Sequence, residues 1–178
     1  TSLATLRLAE LAHEAGIPAG VLNVVPGLGH TAGKAIGLHP DIDMTAFTGS
    51  TEVGRLFLEY SAKSNLKRVV LECGGKNPQV VMDDAGDLAN VASNVLSAAF
   101  WNMGENCSAG SRLIVHRSIK DALLEQMLSQ LQDWVTGDPL DPSVRLGALI
   151  EQAHMEKVLG HIEQAKADGC KLITGGAR

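Results

Sequence analysis

Along the first half of the chain the apolar positions switch between helical and extended spacing several times. Over residues 2–15, Leu3, Leu6, Leu8, Leu11, Ala12 and Ala15 recur on one helical face, and Gly16 with Pro18 supplies a stop. The run Val21-Leu22-Asn23-Val24-Val25 lies between Gly20 and Pro26-Gly27 and reads as a short buried strand. The same reading predicts a helix over 30–38, a strand over 44–48, a helix from Gly49-Ser50 to about residue 63, and a strand over 67–72. Strict strand–helix alternation of this kind predicts βαβ units and a parallel sheet.

Beyond Gly74-Gly75-Lys76-Asn77-Pro78 the segments change character, and this stretch is the best candidate for a domain boundary. A short strand is expected over 79–82, a helix over 87–101 capped by Asp87, and a loop of small residues over 103–110. A strand over 112–116 follows. Next comes a long amphipathic helix over 118–135, with Ser118 as its N-cap and Asp121 in its first turn. A helix over 151–168 and a strand fragment over 171–174 complete the pattern.

Composition removes several classes of function. The 178 residues are 45% hydrophobic and 20% charged with a formal net charge of −5, which is ordinary for a globular chain. No run approaches the roughly 18 apolar residues of a membrane helix, so no membrane partner is expected. No Lys/Arg cluster exceeds Lys67-Arg68 and aromatics make up only 3%, which argues against nucleic acid. Cys73, Cys107 and Cys170 are widely spaced and odd in number, suiting a reducing compartment and neither a disulfide framework nor a zinc ribbon. Cys73 and Cys170 read as packing cysteines. The histidines lack metal-ligand spacing, so no metal is expected. The opening Thr1-Ser2-Leu3 shows no targeting signal and reads as a cut inside a longer chain.

Four places could carry chemistry. Gly27, Gly29 and Gly33 form GxGxxxG between a strand and a helix, either to admit a phosphate or simply to make a tight turn. Gly49-Ser50-Thr51-Glu52-Val53-Gly54 has P-loop glycine spacing, but Arg55-Leu56 replaces the Lys-Ser/Thr pair, leaving an anion site at a helix start and no triphosphate hydrolysis. Glu72 follows Val69-Val70-Leu71 at the carboxyl edge of a strand, where burial among apolar neighbours would make it a stronger general base; the alternative is an exposed loop glutamate. Cys107 lies in Gly104-Glu105-Asn106-Cys107-Ser108-Ala109-Gly110, where small neighbours leave a substrate room to reach the sulfur.

Taken together, Phe47-Thr48-Gly49-Ser50-Thr51-Glu52-Val53-Gly54, Leu71-Glu72-Cys73-Gly74-Gly75-Lys76 and Gly104-Glu105-Asn106-Cys107 resemble the NAD(P)-dependent aldehyde dehydrogenase superfamily, in order and in spacing, with 35 residues between Glu72 and Cys107. The resemblance covers the whole chain and implies an internal stretch of a longer member. It implies an α/β fold: a partial Rossmann-like parallel sheet, the later part of the NAD(P)-binding domain over 1–75, followed by the first part of an α/β catalytic domain over 76–178.

By the same resemblance Cys107 is the nucleophile and Glu72 the general base. Gly49, Ser50, Val53 and Gly54 border the pyrophosphate and nicotinamide side of the cofactor, Gly29 and Gly33 the adenosine side, and Phe47 the strand beneath. The Cys73 carbonyl holds the nicotinamide amide. The cofactor implied is NAD or NADP, with NAD favoured; the substrate is a small aldehyde, the protein cytoplasmic and its parent a homodimer or homotetramer. The motif runs most resemble bacterial γ-glutamyl-γ-aminobutyraldehyde and related aminoaldehyde dehydrogenases. Glu105 stands where the family commonly has Gln, and Cys73 where it has Leu. The family's oxyanion asparagine and ribose-binding residues are expected outside this segment. A CoA-acylating enzyme is the alternative within the superfamily, and Glu72 argues against it because water activation is then unnecessary. A non-catalytic binding or structural member is the alternative outside enzymes, disfavoured by the presence of both Cys107 and Glu72.

Overall fold

A computed structural model describes residues 2–178, which divide into two compact units, 2–74 and 75–178. The fold is α/β, with both sheets parallel.

In the first unit, α1 (Ser2–Glu14) ends at Gly16, whose φ of +91° is a left-handed stop that glycine adopts without strain. A π-helical turn, Gly29–Gly33, leads directly into α2 (Lys34–Leu38). Strand β1 (Met44–Gly49), helix α3 (Thr51–Ala62) and strand β2 (Arg68–Cys73) form one βαβ unit, with β1 and β2 parallel in a register that pairs Thr48 with Glu72 and Gly49 with Cys73. The helices pack through aromatic rings. Phe47 stacks on Phe57 with centroids 4.9 Å apart, Phe57 meets the edge of Tyr60 at 5.8 Å, and Tyr60 leaves no room for a β-carbon at Gly37. Lys67 is only 4% exposed, and its ammonium donates to the Gly37 carbonyl at 2.6 Å and to Ser64 Oγ at 2.9 Å. That places a cation at the carboxyl end of α2, where the helix dipole favours it.

In the second unit, β3 (Pro78–Val81) and β4 (Arg112–Val115) are parallel and joined through α4 (Leu88–Phe100). Asp87 caps α4 as its sequence position predicts, accepting from the Ala89 and Asn90 amides at 3.0 and 3.3 Å. Helix α4 packs on α5 (Lys120–Gln130), and the core consists of Val81, Ala92, Val95 and Leu123, all buried. A final helix, α6 (Gln152–Ala167), follows a loop.

Three expectations are corrected, and one open alternative is decided. Residues 21–25 are not a strand: their backbone pairs with no other segment among the described residues, and Val21 and Val25 are exposed. The apolar run fits a strand, but a strand needs a ladder. Residues 171–174 are likewise irregular, and Cys170 beside them is exposed, not packed. The helix expected over 118–135 is shorter, ending at Gln130 before a 3₁₀ turn (Leu131–Asp133), and Ser118 does not cap it. The Ser118 hydroxyl instead meets His116 Nδ1 at 2.8 Å, a local bond that competes with capping. Of the two readings of Glu72, the exposed one holds, although the residue lies within β2 and not in a loop, on the face opposite half-buried Leu71 and Cys73.

Candidate active site

The first unit gathers most of the predicted cofactor residues at one place, the carboxyl ends of β1 and β2 and the start of α3. Phe47, Thr48 and Gly49 lie on β1, opposite Leu71, Glu72 and Cys73 on β2. Ser50 caps α3, its Oγ accepting from the Val53 amide at 3.2 Å. Gly54 is buried, and a β-carbon there would sit 3.2 Å from the Cys73 sulfur and 3.4 Å from Leu71 Cδ1. The missing side chain therefore lets α3 lie close against β2. Gly29 and Gly33 lie on the helical stretch before α2, apart from this cluster in the sequence.

Gly49, Ser50 and Val53 are exposed at a twelve-residue helix's N-terminus beyond a parallel strand, where open α/β sheets bind ligands. At Gly29 and Gly33 an added β-carbon would meet nothing within 4 Å, so packing alone does not call for glycine there, and the space above them is free. Gly27 differs: its β-carbon would fall 2.7 Å from Ala32 Cβ, which is the tight-turn reading of the GxGxxxG run.

In the second unit Cys107 is exposed, in the loop between α4 and β4. The loop begins as a 3₁₀ turn (Trp101–Gly104) in which Asn102 (φ +52°, ψ +47°), Met103 (φ +57°, ψ +19°) and Gly104 (φ +72°) are all left-handed. Left-handed backbone costs about 1–2 kcal/mol for a residue such as Met, and it persists only where surrounding contacts hold it. Further along the loop, two side chains, one just before β3 and one within it, hold the backbone. Asn77 Nδ2 donates to the Cys107 carbonyl at 2.9 Å and to the Ala109 carbonyl at 3.4 Å. Gln79 Nε2 donates to the Gly110 carbonyl at 2.8 Å and, from the same amide, to the Val95 carbonyl of α4 at 3.1 Å. The Cys107 sulfur lies 4.0 Å from Asn106 Oδ1, while the Asn106 amide is turned to Ser108 Oγ at 2.8 Å.

Sequence reasoning passed over Asn77 and Gln79, treating the first as part of a boundary and the second as the start of a strand. The available signal was their type: carboxamides at a strand entrance, each able to donate twice. Among the described residues no group of three or more His, Cys, Asp or Glu is placed to hold a metal ion. Nor, among those residues, is any helix long and apolar enough to cross a membrane.

The chain belongs to the aldehyde dehydrogenase family, whose pattern matches residues 1–178. It is 62% identical to the aminoacetaldehyde dehydrogenase of Pseudomonas aeruginosa over 177 residues, covering 99% of this chain and 36% of that protein. Among solved structures, the γ-glutamyl-γ-aminobutyraldehyde dehydrogenase of Burkholderia cenocepacia matches with a TM-score of 0.92 and 54% identity, over 97% of this chain and 34% of that one. The indole-3-acetaldehyde dehydrogenase AldA of P. syringae, solved with NAD+ and IAA, matches with a TM-score of 0.95 and 50% identity, over 97% of this chain and 35% of that one. The chain thus spans about a third of the length of the relatives it matches.

Proposed function

We propose that these residues carry the thiol nucleophile and part of the cofactor site of an aldehyde dehydrogenase that oxidises a small aminoaldehyde to its acid. The observation that carries this reading is Cys107, exposed in a strained loop whose backbone is held at Cys107 itself by Asn77. As a thiolate it attacks the aldehyde carbon, forming a carbon–sulfur bond and a tetrahedral adduct. NAD(P), when bound, supplies the hydride acceptor. Loss of hydride leaves a thioester on Cys107, and Glu72 takes a proton from the water that hydrolyses it, releasing the acid and the free thiol. Exposure of Glu72 suits this task, because the group must reach water.

Ser50, Val53 and Gly54 at the start of α3, with Gly49 and the Cys73 carbonyl at the strand ends, are the residues proposed to hold the pyrophosphate and nicotinamide side of the cofactor. Gly29, Gly33 and Phe47 border the rest. NAD is favoured, supported by the NAD+ complex of the P. syringae relative. The aminoaldehyde reading is supported by the names of the relatives at 62% and 54% identity. The free thiols of Cys73, Cys107 and Cys170 agree with a cytoplasmic location. A homodimer or homotetramer, with residues 1–75 in the cofactor domain and 76–178 in the catalytic domain, completes the proposal.

The test is steady-state and first-turnover kinetics on the full-length protein. Cys107→Ala should abolish NADH formation while NAD still binds, since only the covalent step is lost. Retained turnover above about a hundredth of wild type would refute the assignment of the nucleophile.

A further inference from the structure

Glu105 Oε1 lies 3.3 Å from Nε2 of His154 on α6, and both side chains are mostly covered, 27% and 37% exposed. The contact joins the loop two residues before Cys107 to a helix almost fifty residues further along. We propose that Glu105 and His154 form a positioning pair that fixes the Cys107 loop for the acylation step; this rests on Cys107 being the nucleophile.

The argument runs from the backbone. Asn102, Met103 and Gly104 are left-handed in succession, and Gly104 is pressed against α4, where an added β-carbon would meet the Ala99 carbonyl at 3.2 Å. A segment in that state gains by relaxing, and relaxation would carry Cys107 with it unless both sides of the loop are held. Asn77 and Gln79 hold the side that leads into β4. On the other side, the Glu105 amide closes the turn on the Asn102 carbonyl at 3.0 Å, and its carboxylate reaches His154. A single contact between two partly exposed polar side chains adds little to global stability, so its value is in placing the loop. Displacing a reacting group by about 1 Å can cost roughly a hundredfold in rate. His154 touches no reacting atom and acts through Glu105.

The experiment compares Glu105→Ala, His154→Ala, the double variant and Glu105→Gln in the full-length protein. The readouts are the single-turnover rate of NADH formation, KM for the aldehyde and the melting temperature. Each alanine variant should slow the single turnover by about tenfold or more, with KM and melting temperature almost unchanged. The double variant should be no slower than either single one, because both remove the same contact. Glu105→Gln should recover most of the rate, since it keeps the side chain's length and an oxygen facing His154 Nε2. Additive losses, an unchanged single turnover, or a rate loss that tracks melting temperature without rescue by glutamine would overturn the proposal. Failure of the underlying assignment is read separately, as NADH formation by Cys107→Ala.

Discussion

The side-chain amide of Asn77 donates a 2.9 Å hydrogen bond to the backbone carbonyl of Cys107, so the residue just before β3 also fixes the backbone of the proposed nucleophile. Asn77→Ala removes this bond and the longer one to Ala109. A buried or half-buried hydrogen bond is worth about 1 kcal/mol net, so the expected stability loss is small, while kcat should fall further than that figure implies because the loop is released. Asn77→Asp should be worse than alanine, since a carboxylate would face two carbonyl acceptors. Thermal melts paired with kcat measurements on both variants check the order; equal, unimpaired kcat values would remove Asn77 from the site.

Gly110 gives a prediction about stability. An added β-carbon there would lie 2.5 Å from Gln79 Cγ and 2.6 Å from Gln79 Nε2. Gly110→Ala must push Gln79 aside, breaking its bonds to the Gly110 and Val95 carbonyls, and should cost about 1–3 kcal/mol in denaturant unfolding. Combining it with Gln79→Ala should recover part of that loss, because the obstructing side chain is gone.

Ser50 separates helix capping from cofactor binding. Ser50→Ala loses the cap on the Val53 amide, worth about 1 kcal/mol, and Ser50→Asp keeps a capping oxygen while adding a negative charge. If the start of α3 faces the cofactor's pyrophosphate, the aspartate variant should be as stable as wild type yet bind NAD at least tenfold more weakly, as read by isothermal titration. Unchanged NAD affinity in the aspartate variant would take α3 out of the phosphate site.

Much of this arrangement was legible in the sequence, and the gaps have physical causes. Asp87 as a cap and Ser50-Gly49 at a strand-to-helix turn are local signals, decided within four residues, and both are found in place. Val21–Val25 failed because strand formation depends on a partner that no local pattern reveals. Ser118 failed because a hydroxyl can choose between a helix amide and a neighbouring imidazole, and periodicity does not tell which. Burial and exposure of Glu72 were both open because its sequence neighbours are apolar; in a strand those neighbours point alternately to opposite faces, so Leu71 and Cys73 are half-buried and Glu72 is not. Glu105 was visible as a carboxylate beside the cysteine, whereas His154, in another helix, was not.

The central claim is that Cys107 carries the acyl group and Glu72 removes it. The most direct measurement is peptide mass analysis of the full-length Glu72→Gln protein, acid-quenched after mixing with NAD and an aminoaldehyde. With hydrolysis slowed, NADH should form rapidly in one turnover and then stall, and the peptide containing Cys107 should carry the acyl group as a thioester, which Cys107→Ala abolishes. An acyl group on Cys73 or Cys170, or steady turnover with Cys107 unmodified, would contradict the account.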